Sequence, residues 1–411
     1  MYFWRMVNGN VNVAIVGGGA AGFFAAINLA EKLPAASIWI FEKSNQLLTK
    51  VKISGGGRCN VTHACFDPQE LVGFYPRGGK ELLGAFHRFA PGDIIDWFDQ
   101  RGISLKIEED GRMFPISDKS ETIINCFLDE ANKRKIKVEK RAELLKISPK
   151  GKKWELEING QQPALFDALL IATGGSAKPK AYDFLATTGH KIIPIVPSLF
   201  TFNLPKHPSN ELMGLSYEVV VRLKEGDYEE SGPLLFTHWG MSGPAILKLS
   251  SKAAKLLCKM DYQFEFEVEW INDPAAFINK CRKDSAAQNI DKTQPYLMPQ
   301  RLWLYLLKRA KVDGSLNWAD LKKEAMESLG KTLGNDLYFA NGKTTFKSEF
   351  VSCGGIYLKE IDFRNMESKL HSNLYFAGEV LDIDALTGGF NFQAAWTTAY
   401  IAAESIAKKF A

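Results

Sequence analysis

Residues 11–22 read VNVAIVGGGAAG, and their reading decides the fold. VNVAIV is β-prone and nearly continuously apolar, as a strand buried on both faces should be. It runs into Gly17-Gly18-Gly19-Ala20-Ala21-Gly22, which satisfies G-x-G-x-x-G. FFAAINLAEKL follows with apolar residues at helical spacing and stops at Pro34. SIWIFEK then supplies a second strand carrying Glu42, 20 residues after Gly22. Gly17 permits the tight turn, Gly19 lets a pyrophosphate reach the backbone, and Gly22 lets the helix pack on the strand. The helix start at Ala20 and Ala21 offers free N–H groups and a positive dipole end to phosphate. Glu42 can accept from a ribose diol, and its charge opposes a 2′-phosphate. The nucleotide expected here is FAD or NAD. Lys43 and Lys50, just beyond, join the candidate contacts.

The other end of the chain chooses between the two. NLYFAGE (373–379) reads as a buried strand ending in Gly378-Glu379, and TGGFNFQAAWTTAYIAAESIA follows as a turn and a long helix. A typical NAD dehydrogenase has no such C-terminal return, whereas FAD extends past the first motif and needs one. The Glu379 carboxylate suits a ribityl hydroxyl. The helix start at Gly388, Gly389 and Asn391 suits the charge that grows on the N1/C2=O edge of reduced flavin. ALLIATGG (168–175) is a further buried strand, placing Ala172, Thr173 and Gly174 at its end. Between these, residues 136–166 alternate with turns at Pro149-Lys150-Gly151 and Asn159-Gly160, which predicts a β-meander. No second G-x-G-x-x-G follows a strand, because Gly55-Gly56-Gly57-Arg58-Cys59-Asn60 ends in Asn60. A nicotinamide cofactor, NADH or NADPH, would therefore dock only transiently as reductant.

Composition bounds the rest. The 411 residues hold 51 Lys+Arg against 47 Asp+Glu, and a net +4 by itself implies neither a nucleic-acid nor a membrane partner. The basic residues of 133–153 alternate with apolar ones, as on a solvated strand face. Six cysteines are too few for a disulfide scaffold, which predicts a reducing, cytoplasmic location. No apolar run approaches the roughly 18 residues of a membrane helix. The spacing of Cys59, His63, Cys65 and His87 fits no zinc pattern, so no metal is expected.

On these motifs the sequence resembles the BaiN-like (YhiN-like) flavoprotein family, also known as aminoacetone-oxidase-family FAD-binding enzymes or NAD(P)/FAD-dependent oxidoreductases. The likeness runs through VAIVGGGAAG (13–22), KISGGGRCNVT (52–62), GRMFPIS (111–117), LLFTHWGMSGPAILKLSS (234–251), CGGIYLKEID (353–362) and LYFAGEVLDIDALTGGFNFQAAW (374–396). The resemblance implies an α/β fold: a Rossmann-like FAD-binding domain split by an inserted β-rich domain and a small helical domain. The expected boundaries are 11–189 with 351–411 for FAD, 190–272 with 335–350 for the β-rich insert, and 273–334 for the helices. Two departures stand out. His63 occupies a position where the family often has Asn, and GGSAKPKAYDFLATTGH is shorter than the usual loop after ATGG.

Within the glycine-rich run, backbone N–H groups at Gly56 and Gly57 and the Arg58 guanidinium suit the pyrophosphate or the flavin. Cys59 lacks a C-x-x-C partner and reads as a small buried residue. Asn60 is expected to bond the flavin or its own loop. Asp382, Asp384 and His238 are the candidates for acid–base chemistry, and Ser242-Gly243-Pro244 reads as a helix start. The expected activity is FAD-dependent oxidation or reduction of a small organic substrate. The resemblance suggests a conjugated C=C of a steroid-like acid or an amine. The alternatives are an FAD-dependent tRNA-modifying enzyme and a flavin-binding redox sensor without turnover.

Overall fold

The computed structural model describes residues 11–176, 179–344 and 351–411. Strand β1 (Asn12–Val16), helix α1 (Ala20–Lys32) and strand β2 (Ser37–Glu42) follow one another as the apolar periodicity requires. With β3 (Lys137–Lys140), β4 (Ala168–Ile171) and β5 (Leu374–Phe376) they build a five-stranded parallel sheet in the order β5-β4-β1-β2-β3. Ile15 sits opposite both Leu170 and Ile40 in the ladders, and β1 is buried throughout. Antiparallel strands Glu367–Ser368 and Ile361–Asp362 extend the β5 edge.

From β1 the chain turns first to β2 and β3 on one side and later to β4 and β5 on the other. The C-terminal end of β1 is thus a topological switch point, where an open α/β sheet leaves a crevice. The long C-terminal helix α2 (Phe390–Phe410) packs along α1, with Phe24 and Trp396 in ring contact at 5.3 Å. On β2, Trp39 and Phe41 meet Phe166 at 5.5 and 5.8 Å.

Residues 136–166 do not form one meander. Lys137–Lys140 is the parallel edge strand β3, reached through the helix Ser120–Lys133. Only Leu144–Lys150, Lys153–Ile158 and Ala164–Phe166 make the antiparallel sheet. A four-residue edge strand shows too few alternations to reveal its partner, and here the crossover helix decides it.

The described residues up to Val196 and from Val351 form one compact unit, and those from Pro197 to Thr344 form another. The second unit holds a seven-stranded sheet whose terminal strands are Asp336–Asn341 and Lys343–Thr344. The turn at Asn341-Gly342 therefore does not make a hairpin. Its two strands pair with Gln263–Glu269 and Thr201–Asn203 instead, and the sheet curls until its ends are joined by Gly342 alone. The remainder of that expected strand pair, 345–350, lies outside the described residues. Helices Pro274–Asp284, Gln300–Arg309 and Lys323–Gly334 share a core with this sheet through Phe277, Trp303, Leu333 and Phe266. Helix Pro244–Lys252 begins after Gly243, as its Ser-Gly-Pro start implied.

Candidate cofactor site

The cradle at the end of β1 is shaped by what its glycines lack. A Cβ on Gly17, which has φ +118°, would lie 2.2 Å from the Ala172 carbonyl oxygen at the end of β4. One on Gly22 would lie 1.9 Å from the Gly17 carbonyl oxygen, so α1 reaches the strand only because that side chain is missing. Gly19 is different: a Cβ there would meet nothing within 4 Å. The space beside Gly19 is the place a pyrophosphate needs, at the start of α1 where Ala20 and Ala21 leave backbone donors unpaired.

Next to this cradle lies a cavity of about 420 Å³, lined among others by Gly17, Glu42, Lys43, Leu144, Thr173 and Phe184. Glu42 is fixed at its wall, because its two carboxylate oxygens accept from the backbone N–H of Gly18 and of Ser44, each at 2.8 Å. The Thr173 hydroxyl is buried and has no partner among the described residues. An orphaned hydroxyl and a fixed carboxylate in one crevice, two residues from an open glycine, fit the adenosine diphosphate half of FAD. Ala181, Asp183 and Phe184 belong to the shortened loop after Gly175, which forms a 3₁₀ turn held by a bond from the Tyr182 hydroxyl to the Gly174 carbonyl at 3.0 Å. The resemblance implies that this loop lies near the flavin and substrate cleft, but which of its residues form the wall has no signal in the sequence, where the loop carries no periodic pattern.

The C-terminal return reaches the same sheet end. The Ala377 N–H donates to the Ile171 carbonyl at 3.0 Å, and the Gly378 N–H donates to the Thr398 hydroxyl at 2.9 Å. Glu379 pairs with Lys50 and accepts from the backbone N–H of Ser352 at 2.9 Å. Ser352, just before the CGGIYLKEID stretch, had given no signal of this role.

Four consecutive residues, Asn60 to His63, bind the start of α2. The Asn60 amide oxygen, in the orientation that satisfies both ends of the group, accepts from the Gly389 N–H at 3.0 Å. The Val61 carbonyl accepts from the Trp396 indole at 2.9 Å. The Thr62 hydroxyl donates to Gln393 at 2.6 Å, and His63 Nδ1 bonds the Gly388 carbonyl at 3.1 Å. Asn391 braces the preceding loop through both the N–H and the carbonyl of Ala385. Its side chain thus shapes the turn from within. Gly56 and Gly57 take left-handed φ values of +69° and +86°, with open space where their Cβ atoms would be.

Other candidates have protein partners of their own. Arg58 is held by Glu108 and Asp118 and lies 3.9 Å over the Phe114 ring. Its guanidinium is bound to carboxylates rather than left bare. Burial pushes the Cys59 thiol up to about 12, so it stays protonated at neutral pH. Asp384 is fully buried and clamped at two points by Arg77. Such a clamp engages both carboxylate oxygens with the protein, so neither is left to serve a substrate. Asp382 is half-buried on the same loop. His238 belongs to the second unit, exposed on the turn between Glu229–Thr237 and Gly240–Ser242 with its ring 3.9 Å from that of Trp239. Among the described residues, no helix is long and apolar enough to cross a membrane.

A switch-point glycine cradle, joined by a C-terminal strand and helix at the same sheet end, is the frame of an FAD-type Rossmann oxidoreductase. The model of the HI0933-like protein Rossmann domain matches residues 11–405, and the chain belongs to that family, one of flavin-dependent oxidoreductases. It is 28% identical over 417 residues to a 3-dehydro-bile acid delta(4,6)-reductase of Clostridium scindens, covering 97% of this chain and 99% of the relative. It is 29% identical over 407 residues to a ribosomal RNA dihydrouridine synthase of Escherichia coli, covering 95% and 97%. Among solved structures, the 3-ketosteroid-delta4-(5alpha)-dehydrogenase of Rhodococcus jostii shares the fold, with a TM-score of 0.52 over 98% of each chain at 13% identity.

Proposed function

We propose that the protein reduces a C=C bond conjugated with a carbonyl group in a small organic substrate, with FAD as carrier and NADH or NADPH as transient donor. One observation carries this reading: the two relatives named above, nearly equal in similarity, bear names that share one bond type. A 3-oxo-Δ4,6 steroid acid and the C5=C6 bond of uracil are both alkenes polarised by a carbonyl. NAD(P)H gives up a hydride, the alkene carbon remote from the carbonyl gains one, and a proton completes the adjacent carbon.

FAD, when bound, supplies the two-electron exchange between donor and substrate. The chain's own residues hold and orient it. Gly17 to Gly19 and the first N–H groups of α1 would take the pyrophosphate, with Glu42 and Thr173 at the ribose and adenosine side. Glu379 would take a ribityl hydroxyl once Lys50 shares it. The backbone N–H groups at Phe390 and Asn391 would face the pyrimidine edge. Anaerobic mixing with NADH and NADPH separately tests the reading. At least one should bleach the flavin, and an α,β-unsaturated ketone should restore its colour. A flavin that neither nucleotide bleaches would refute the reading.

A second reading, reduction of uracil within RNA, is favoured by one charge asymmetry. Residues 133–153 hold ten Lys or Arg against two Glu, a net +8 in a chain of net +4, so the remainder is −4. Lys135, Lys137, Lys140, Arg141 and Lys152 are exposed on and around edge strand β3. Steeply salt-dependent RNA binding that Lys140→Glu with Arg141→Glu removes would favour this reading. Lysines also protect an exposed sheet edge from pairing, and absence of RNA binding would leave them that role.

A further inference from the structure

His63 stands where the resembled family often has Asn, and its surroundings are built to fit an imidazole. The short strand Thr62–His63 pairs with Arg112–Pro115, setting His63 opposite Arg112. A carbonyl can only accept, so Nδ1 carries the hydrogen that bonds the Gly388 oxygen at 3.1 Å. The ring lies 4.5 Å from Phe390, which in turn stacks on Phe74 at 4.2 Å. A Cβ at Gly111 would lie 2.5 Å from His63 Nε2, so the imidazole occupies room that a side chain at residue 111 would need. Gly388 itself has φ +133°, a backbone state with little preference of its own. The peptide entering α2 is therefore oriented from outside, by Asn60 on the Gly389 N–H and by His63 on the Gly388 carbonyl.

We propose that His63 is a positioning residue for the flavin. As a neutral Nδ1–H donor it fixes the Gly388–Gly389 peptide and so aims the first N–H groups of α2. The inference rests on the reading that this helix start faces the pyrimidine edge of FAD. The positive end of α2 favours the negative charge of reduced flavin more than the neutral oxidised ring. Loss of the aim weakens binding of the reduced form more than of the oxidised form.

The test uses full-length wild type, His63→Phe and His63→Gln. Phe keeps the ring and removes the donor, while Gln keeps an N–H donor without the ring. In the apo proteins, amide hydrogen exchange across 385–393 should speed up in His63→Phe and stay near wild type in His63→Gln. With FAD, His63→Phe should raise the dissociation constant roughly tenfold and shift the midpoint potential downwards, and His63→Gln should recover most of both. Unchanged exchange and potential in His63→Phe would overturn the proposal. If His63→Phe fails to fold, His63→Ala takes its place: faster exchange across 385–393 and a lowered potential support the donor role, and unchanged values overturn it. A wild type that binds no FAD would refute the cofactor reading itself. A yellow wild type with unaltered variants would refute only the role of His63.

Discussion

Two glycine turns lead into helices α1 and α2 of the cofactor unit, and they are built in opposite ways. At Gly17 to Gly22 the glycines admit the neighbouring backbone, Gly17 the end of β4 at Ala172 and Gly22 the Gly17 carbonyl, while Gly19 faces open space. At Gly388-Gly389 the space is filled by protein. A Cβ on Gly389 would lie 2.5 Å from the Thr62 carbonyl oxygen, and residues 60–63 hold the turn from more than 300 positions away in the chain. The first turn has kept a void for ligand, while the second is a joint that presents its helix in a set direction.

Substituting each turn should separate these roles. Gly19→Val should abolish FAD uptake with little change in melting temperature, since the added side chain enters only the ligand's space. Retained uptake, measured by flavin absorbance after desalting, would show that the cradle is misassigned. Gly389→Val should instead damage the fold first, at about 3 kcal/mol or more for combined clash and left-handed strain. A denaturant midpoint matching wild type would contradict the joint.

Asp384→Ala leaves the largely covered Arg77 without this carboxylate and should cost about 3 kcal/mol. Arg77 and Asp384 are 307 positions apart and fasten the loop that runs into the second turn. Chemical denaturation measures the cost, and a loss near zero would remove the clamp from the account.

His190 offers a pH readout of the same unit. It is buried, with Nδ1 at 2.7 Å from the Thr188 hydroxyl and Nε2 at 2.8 Å from the Ser368 hydroxyl, and burial lowers its pKa to about 4. Between that value and the ordinary 6.5 the unfolded chain binds more protons than the folded one. Stability should therefore be complete above pH 6.5 and fall towards pH 4, by up to about 3 kcal/mol. His190→Gln should flatten that window, and an unaltered pH–stability curve would exclude the group. The smallest effect expected is at the first turn. Glu42→Ala should weaken FAD roughly tenfold through one charged hydrogen bond, and an unchanged dissociation constant would argue against the ribose contact.

The same contrast explains what the sequence could reveal. β1, the glycines, α1, β2 and Glu42 are contiguous, so their spacing alone announced the cradle. The parallel edge strand Lys137–Lys140 was hidden, because its partner β2 lies almost 100 residues back and four residues show no decisive alternation. Arg58 looked like a cofactor contact because Glu108, which holds it, comes 50 residues later with no motif of its own. Asp384 reads as an acid in the sequence because Arg77, which clamps it, lies 307 positions away. In the sequence His63 stands out only as a departure from the resembled family, since the shape of its seat depends on Gly111 and Gly388 together. Local chemistry was legible, while residues whose role depends on a distant partner were not.

FAD binding to the purified full chain tests the central claim most directly. Isothermal titration of the apo protein should show one FAD bound per chain, with oxidised-flavin absorbance bands appearing in step with the heat. A chain that stays colourless and gives no binding heat with FAD would contradict the account.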